Sequence, residues 1–235
     1  MLLQYSRDFV LSPSDFTSEN KLKLGTVLEL FQTVATDHAE QIGAGFEEML
    51  KQDIAWVLVK TRLTYVSNLL QDGKVKVVTY PHPKGRIGYV RDYLIFDNNE
   101  NLLVKGSSLW TLVSFSQRKL LRPTFDYAGE YVNNKVYDDD FMRFSPLMSQ
   151  NHEYVYRISE KDMDRNMHTN NVKYADFIIN GLKKQPKIKN FSIQYSAETV
   201  LDDEIKIAYL NEENGDIKIC GTCCGKNVFN ALITI

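Results

Sequence analysis

The order of hydrophobic patterns constrains this chain most. One strand-like segment, one amphipathic helix and a run of antiparallel strand candidates appear, and then the same programme appears again. Residues 2–11 alternate as a strand does. Leu24, Val27, Leu28, Phe31, Ala35, His38 and Ile42 then recur at the three- and four-residue spacing of a helix with one apolar face. Gly43 and Gly45 predict its end. Strand candidates follow at 54–66, 74–81, 87–96 and 102–115, separated by turn-prone Asp72-Gly73 and Asp97-Asn98-Asn99-Glu100-Asn101. The second half repeats this with a strand at 153–158 and a helix at about 170–182 whose stripe is Val172, Ala175, Ile179 and Leu182. Strands at 188–197, 204–210, 216–224 and 227–235 complete it. One helix cannot cover a long flat sheet, so each sheet is expected to curl around its helix and leave an apolar tunnel or seam. The expectation is an α+β chain with modules at 1–115 and 151–235. Between them lies a connector at 116–150 carrying Pro123, Pro146 and the acidic run Asp138-Asp139-Asp140.

Composition narrows the partners. Across 235 residues, 28 basic and 30 acidic side chains leave a formal charge of −2, which supplies no global field for nucleic acid. No apolar run reaches the roughly 18 to 20 residues of a membrane-spanning helix, and the first residues lack the basic and apolar blocks of a signal peptide. A cytoplasmic protein without membrane insertion is therefore expected. Cys220, Cys223 and Cys224 have no neighbouring Cys or His pair that would complete a tetrahedral zinc site, and they read as small buried residues.

The densest reactive group is Asp162-Met163-Asp164-Arg165-Asn166-Met167-His168-Thr169-Asn170-Asn171-Val172-Lys173-Tyr174, directly ahead of the second helix. Asp164, Asn166 and His168 alternate, so an extended approach would deliver a carboxylate, an amide and an imidazole to one side. Asn170 or Asn171 reads as the helix cap, leaving the first backbone N–H groups to meet a developing oxyanion.

This motif resembles the signature of the acyl-acyl carrier protein thioesterases, with matching positions at Asp164, Asn166, His168, Asn170, Asn171, Lys173 and Tyr174. Ile54-Ala55-Trp56-Val57, Arg91-Asp92-Tyr93 and Ser108-Leu109-Trp110 are similar to the family's amino-terminal module. The family's Glu-Cys pair is represented by Glu198-Thr199, so a Cys-His-Asn nucleophilic mechanism is excluded at this position. The resemblance implies a tandem (double) hotdog fold, each module a long helix wrapped by a curved antiparallel sheet. It further implies hydrolysis of a fatty acyl-acyl carrier protein to free acid and carrier thiol, with no metal or organic cofactor.

On that resemblance Asp164, Asn166, His168 and Glu198 are the expected catalytic residues. Glu198 or His168 would activate water, and Asp164 would orient His168 or attack the thioester itself. The first module is expected to bind the acyl chain, with Phe31, Trp56 and Trp110 as lining candidates and Thr199 as a further substrate contact. The carrier is acidic, so Lys183, Lys184, Lys187 and Lys189, or Arg118, Lys119 and Arg122, form candidate docking patches. Competing readings are an acyl-CoA thioesterase, a hydroxyacyl-thioester dehydratase, and a non-catalytic acyl-binding module. Monomer and homodimer both remain open. His38 reads as a core residue, while His82 and His152 have no evident partners.

Overall fold

The computed structural model describes residues 1–67, 73–145, 147, 152–183 and 185–235. It divides into two compact units, Met1–Asp140 and Phe141–Ile235.

In the first unit, β1 (Tyr5–Val10), β2 (Ile54–Tyr65), β3 (Lys74–Pro81), β4 (Tyr89–Asp97) and β5 (Leu102–Ser114) form an antiparallel sheet in the order β1-β3-β4-β5-β2. Helix α1 (Leu24–Gln41) buries Val27, Leu28, Phe31, Val34 and Ala35, and the left-handed Gly43 that follows lets the chain turn away. Phe31 stacks on Tyr93 of β4 with ring centroids 4.3 Å apart. Gly106 makes that approach possible, because a Cβ there would lie 2.3 Å from the Phe31 ring. A short helix α2 (Phe46–Leu50) was not apparent in the sequence.

Much of the segment expected to be a connector belongs to this unit. Its β6 (Leu120–Leu121) pairs with β5. Phe125, Tyr127 and Tyr131 then pack against a cluster that includes Leu3, Ala44, Met49, Tyr89 and Leu112. Tyr89 secures it with its hydroxyl, which donates to the Phe125 carbonyl at 3.0 Å and accepts the Phe125 N–H at 2.8 Å. Farther on, the Arg62 guanidinium lies 4.1 Å over the Tyr137 ring and donates to the Asp139 carbonyl at 2.7 Å. Burial of aromatic rings, which a count of loop residues does not register, explains the difference.

In the second unit, β7 (His152–Arg157), β8 (Asn190–Tyr195), β9 (Glu204–Asn211), β10 (Ile217–Cys223) and β11 (Lys226–Thr234) are ordered β8-β11-β10-β9-β7, also antiparallel. Helix α3 (Lys173–Gly181) is shorter than the long helix expected. The Tyr154 hydroxyl donates to the carbonyls of Phe177 and Ile178, and the Tyr154 ring occupies the space where a Cβ on Gly181 would stand. Its buried face is Tyr174, Ala175, Phe177 and Ile178, while Ile179 of the expected stripe is only half-buried. Aromatic packing sets that rotation: Phe177 stacks on Tyr156 at 3.9 Å, and Tyr174 meets Phe229 at 5.3 Å. Cys224 is exposed in the β10–β11 turn with φ 51°, so it is not the buried residue expected. Among the described residues, no helix is long and apolar enough to cross a membrane.

Candidate active site

The reactive motif is held by a compact turn ahead of α3, not by an extended strand. Ser159 and Asp162 open a single turn of 3-10 helix, with the Ser159 hydroxyl donating to Asp162 Oδ2 at 2.6 Å. The backbone then doubles back: Asp164 N–H donates to the His168 carbonyl at 2.8 Å, and Met167 N–H to the Asp164 carbonyl at 3.2 Å. Met167 takes φ 62°, a left-handed conformation that a residue with a side chain rarely adopts. Asp164 Oδ1 accepts the N–H of Asn166 at 2.8 Å and of His168 at 3.2 Å, so its carboxylate fixes the backbone of both other motif residues. This geometry replaces the alternation expected of Asp164, Asn166 and His168.

The next residues lead into the helix. Thr169 N–H donates to the Thr199 carbonyl at 2.8 Å, tying the motif to the segment that follows β8. Glu198 on that segment reaches His168, with Oε2 at 3.3 Å from Nε2; the imidazole is 21% and the carboxylate 55% exposed. An imidazole and a carboxylate are thus brought together in reach of solvent, which is the arrangement a general base requires. The N-cap of α3 is Val172, not Asn170 or Asn171 as expected; Asn170 lies in the turn before it, where its Oδ1 accepts Val172 N–H at 3.2 Å and its carbonyl accepts Lys173 N–H at 2.9 Å. Those two N–H groups are therefore occupied rather than left open to an oxyanion.

The first unit contains the same turn with different side chains. Ser12 and Asp15 repeat the opening, with Ser12 Oγ donating to Asp15 Oδ2 at 2.8 Å. Thr17 N–H donates to the Lys21 carbonyl at 2.8 Å, Asn20 N–H to the Thr17 carbonyl at 2.9 Å, and Asn20 takes φ 59°. Thr17 Oγ1 accepts the Lys21 N–H at 3.3 Å, as Asp164 does for His168. The bridge between Phe16 and Leu22 matches that between Met163 and Thr169. Thr17, Glu19 and Lys21 thus occupy the positions of Asp164, Asn166 and His168. One backbone device accepts either set, so forming the turn does not itself require the Asp-Asn-His set.

The remaining candidates are placed as follows. Phe31 is 3% exposed and packs between helix and sheet. Trp56 and Trp110 are half-buried, their ring N–H groups donating to the Ala44 carbonyl at 2.9 Å and to Ser108 Oγ at 2.7 Å. Thr199 is 1% exposed, and its hydroxyl meets those of Thr169 at 2.7 Å and Tyr174 at 2.8 Å. Lys183, Lys187 and Lys189 are exposed, while Lys184 lies outside the described residues. Lys183 Nζ donates to His152 Nδ1 at 3.0 Å.

One buried polar group escaped sequence reasoning. His82 Nε2 lies 2.7 Å from Asp92 Oδ2, and Asp92 also accepts the Ser107 hydroxyl and the Val136 N–H at 2.9 Å. The signal for it is the β3–β4 register, which sets Tyr80 against Asp92 and Pro81 against Arg91, so that His82, bonded by its N–H to the Val90 carbonyl, reaches Asp92 diagonally.

A helix packed on an antiparallel sheet, present twice, with a histidine-carboxylate pair beside the start of the second unit's helix, defines the class: a double hotdog protein. Comparison with known proteins identifies the family. The model of the acyl-ACP thioesterase N-terminal domain matches residues 3–131, and that of the C-terminal domain matches residues 146–224. The chain belongs to the acyl-ACP thioesterase family.

Relatives include the chloroplastic palmitoyl-acyl carrier protein thioesterase of Arabidopsis thaliana, 23% identical over 229 residues, covering 87% of this chain and 54% of that protein. The chloroplastic dodecanoyl-[acyl-carrier-protein] hydrolase of Cinnamomum camphora is 24% identical over 223 residues, covering 87% and 58%. The chain thus spans a little over half the length of these relatives. Solved structures of an acyl-ACP thioesterase from Bacteroides thetaiotaomicron and the 12:0-ACP thioesterase from Umbellularia californica share the fold, with TM-scores of 0.85 and 0.86. They are 19% and 20% identical, and each comparison covers 98% of this chain and 96% of the other.

Proposed function

We propose that this protein hydrolyses the thioester of a fatty acyl-acyl carrier protein, ending chain elongation by releasing the free acid and the carrier thiol. The pairing of His168 with Glu198 in reach of solvent carries the reading. A water molecule attacks the acyl carbonyl and gives a proton to the His168–Glu198 couple. The tetrahedral intermediate then collapses, the carbon–sulfur bond breaks, and the couple returns the proton to the departing sulfur. Water supplies the oxygen of the acid, so no cofactor is consumed.

Asn166, exposed two residues before His168, would offer an amide donor to the carbonyl oxygen. Asp164 holds the backbone of Asn166 and His168, and this supports general-base hydrolysis over an anhydride route, because its Oδ1 is engaged within the turn. The first unit would supply the acyl-binding surface, with half-buried Trp56 and Trp110 packed against its aromatic cluster. Lys183, Lys187 and Lys189 form the proposed docking surface for the acidic carrier, and a cytoplasmic setting fits this role.

The test is product release from acyl-carrier and acyl-CoA substrates of several chain lengths. Carrier-dependent release of free acid by the wild type, reduced by about 10² or more in His168→Ala and Glu198→Ala, is the expected result. Acyl binding without release would sink the proposal in favour of a binding module. An unsaturated thioester product would do the same in favour of a dehydratase.

A further inference from the structure

We propose that Thr199, together with Thr169 and Tyr174, is a positioning residue that holds Glu198 against His168. This rests on the reading that the His168–Glu198 couple performs the hydrolysis. Thr169 directly follows His168, and Thr199 directly follows Glu198. The two threonines are joined twice, by Oγ1 to Oγ1 at 2.7 Å and by Thr169 N–H to the Thr199 carbonyl at 2.8 Å. The Tyr174 hydroxyl meets Thr199 Oγ1 at 2.8 Å from the first turns of α3. One residue away from the catalytic pair, the two chain segments that carry it are therefore stitched together and anchored to the helix.

Burial makes this stitch selective. Thr169 is 5%, Tyr174 1% and Thr199 1% exposed, so a hydroxyl separated from its partners would have no water to replace them. Burial also pushes the Tyr174 phenol up to about 12, keeping it protonated as a hydrogen-bond donor across the neutral range. With this burial, Thr199 is not the substrate contact expected from the sequence.

The first unit provides the internal comparison. Its equivalent turn carries Leu22 at the position of Thr169, and the turn closes with the same backbone bonds. The hydroxyl is therefore dispensable to the turn. What it adds in the second unit is attachment to the segment bearing Glu198, and it occurs in the copy that carries the histidine.

The experiment compares hydrolysis of an acyl-carrier thioester by the full chain and its Thr199→Val, Thr199→Ser, Tyr174→Phe and Glu198→Gln variants. Thr199→Val keeps the shape and removes the hydroxyl; it is expected to lower kcat roughly 10- to 100-fold, the cost of misplacing a catalytic group by about 1 Å, with KM little changed. Thr199→Ser should recover most of the loss. In a Glu198→Gln background Thr199→Val should cost nothing further, because the carboxylate to be positioned is gone. Wild-type turnover in Thr199→Val, or a full additional loss in the Glu198→Gln background, overturns the inference. Tyr174→Phe carries the same test if Thr199→Val does not fold. Glu198→Gln with unchanged turnover would instead sink the hydrolytic reading. The imidazole NMR signals of His168 then decide the positioning role separately: a changed environment in Thr199→Val supports it, and identical signals overturn it.

Discussion

Two histidines beside helices show how surroundings divide residues of one type. His168 lies at a turn in partial contact with solvent and faces a carboxylate. His38 is 2% exposed on the inner face of α1, stacked near Tyr5, and its Nδ1 accepts a hydrogen bond from Arg91 Nη1 at 2.9 Å. Burial, and then the Arg91 charge, lower its pKa from 6.5 to about 4. The unfolded chain therefore binds a proton at His38 before the folded chain does. The stability due to neutral His38 is complete above pH 6.5 and is lost progressively as pH falls from there to about 4. Replacing it by His38→Gln, which keeps an acceptor for Arg91, should flatten the dependence of Tm on pH across that window. An unchanged slope in thermal melts would contradict this account. The cluster of Asp164, Asn166 and His168 was legible in the sequence, but the turn that holds them, in place of the extended alternation expected, was not. Its hydrogen bonds join Asp164 to Asn166, Met167 and His168, and a left-handed Met167 closes it.

At the scale of elements, glycines without side chains decide how closely each helix meets its sheet. Phe31 fits over Gly106 in the first unit, and Tyr154 fits against Gly181 in the second. A Cβ at Gly181 would stand 1.6 Å from Tyr154 Cζ, inside the ring that closes α3. Gly181→Ala is expected to destabilise the protein by about 1–3 kcal/mol, as overpacking of a filled site does, and urea titration measures it. The Tyr154 bonds to the Phe177 and Ile178 carbonyls would shift with the ring. Hydrophobic spacing located α1 closely, because 18 residues give the period five turns in which to show itself. Helix α3 has nine residues, and there the aromatic contacts of Tyr174 and Phe177 outweigh a stripe read from four positions.

For the whole molecule, association with an acidic carrier should be governed by surface charge. Exposed Lys187 and Lys189 lie between α3 and β8, and a Lys187→Glu, Lys189→Glu double variant should raise KM for acyl-carrier substrates. Added salt should do the same to the wild type by screening, while acyl-CoA turnover changes little. Equal effects on both substrates would remove these lysines from the docking surface. By itself the sequence determined the repeated strand-helix-strands order, the antiparallel pairing of β3 with β4, β4 with β5, β9 with β10 and β10 with β11, and the side chains that offer themselves for chemistry. These are properties of local periodicity, turn composition and side-chain type. That β2 pairs with β5 instead of β3, and β8 with β11 instead of β9, was not legible in the sequence. Only the tertiary structure decided that residues 120–131 pack on the first unit, that the Thr199 hydroxyl is buried against those of Thr169 and Tyr174, and that His168 and Glu198 meet across 30 positions of chain. Such contacts depend on which rings and hydroxyls find partners once water is excluded, and that is settled by the packing of distant segments.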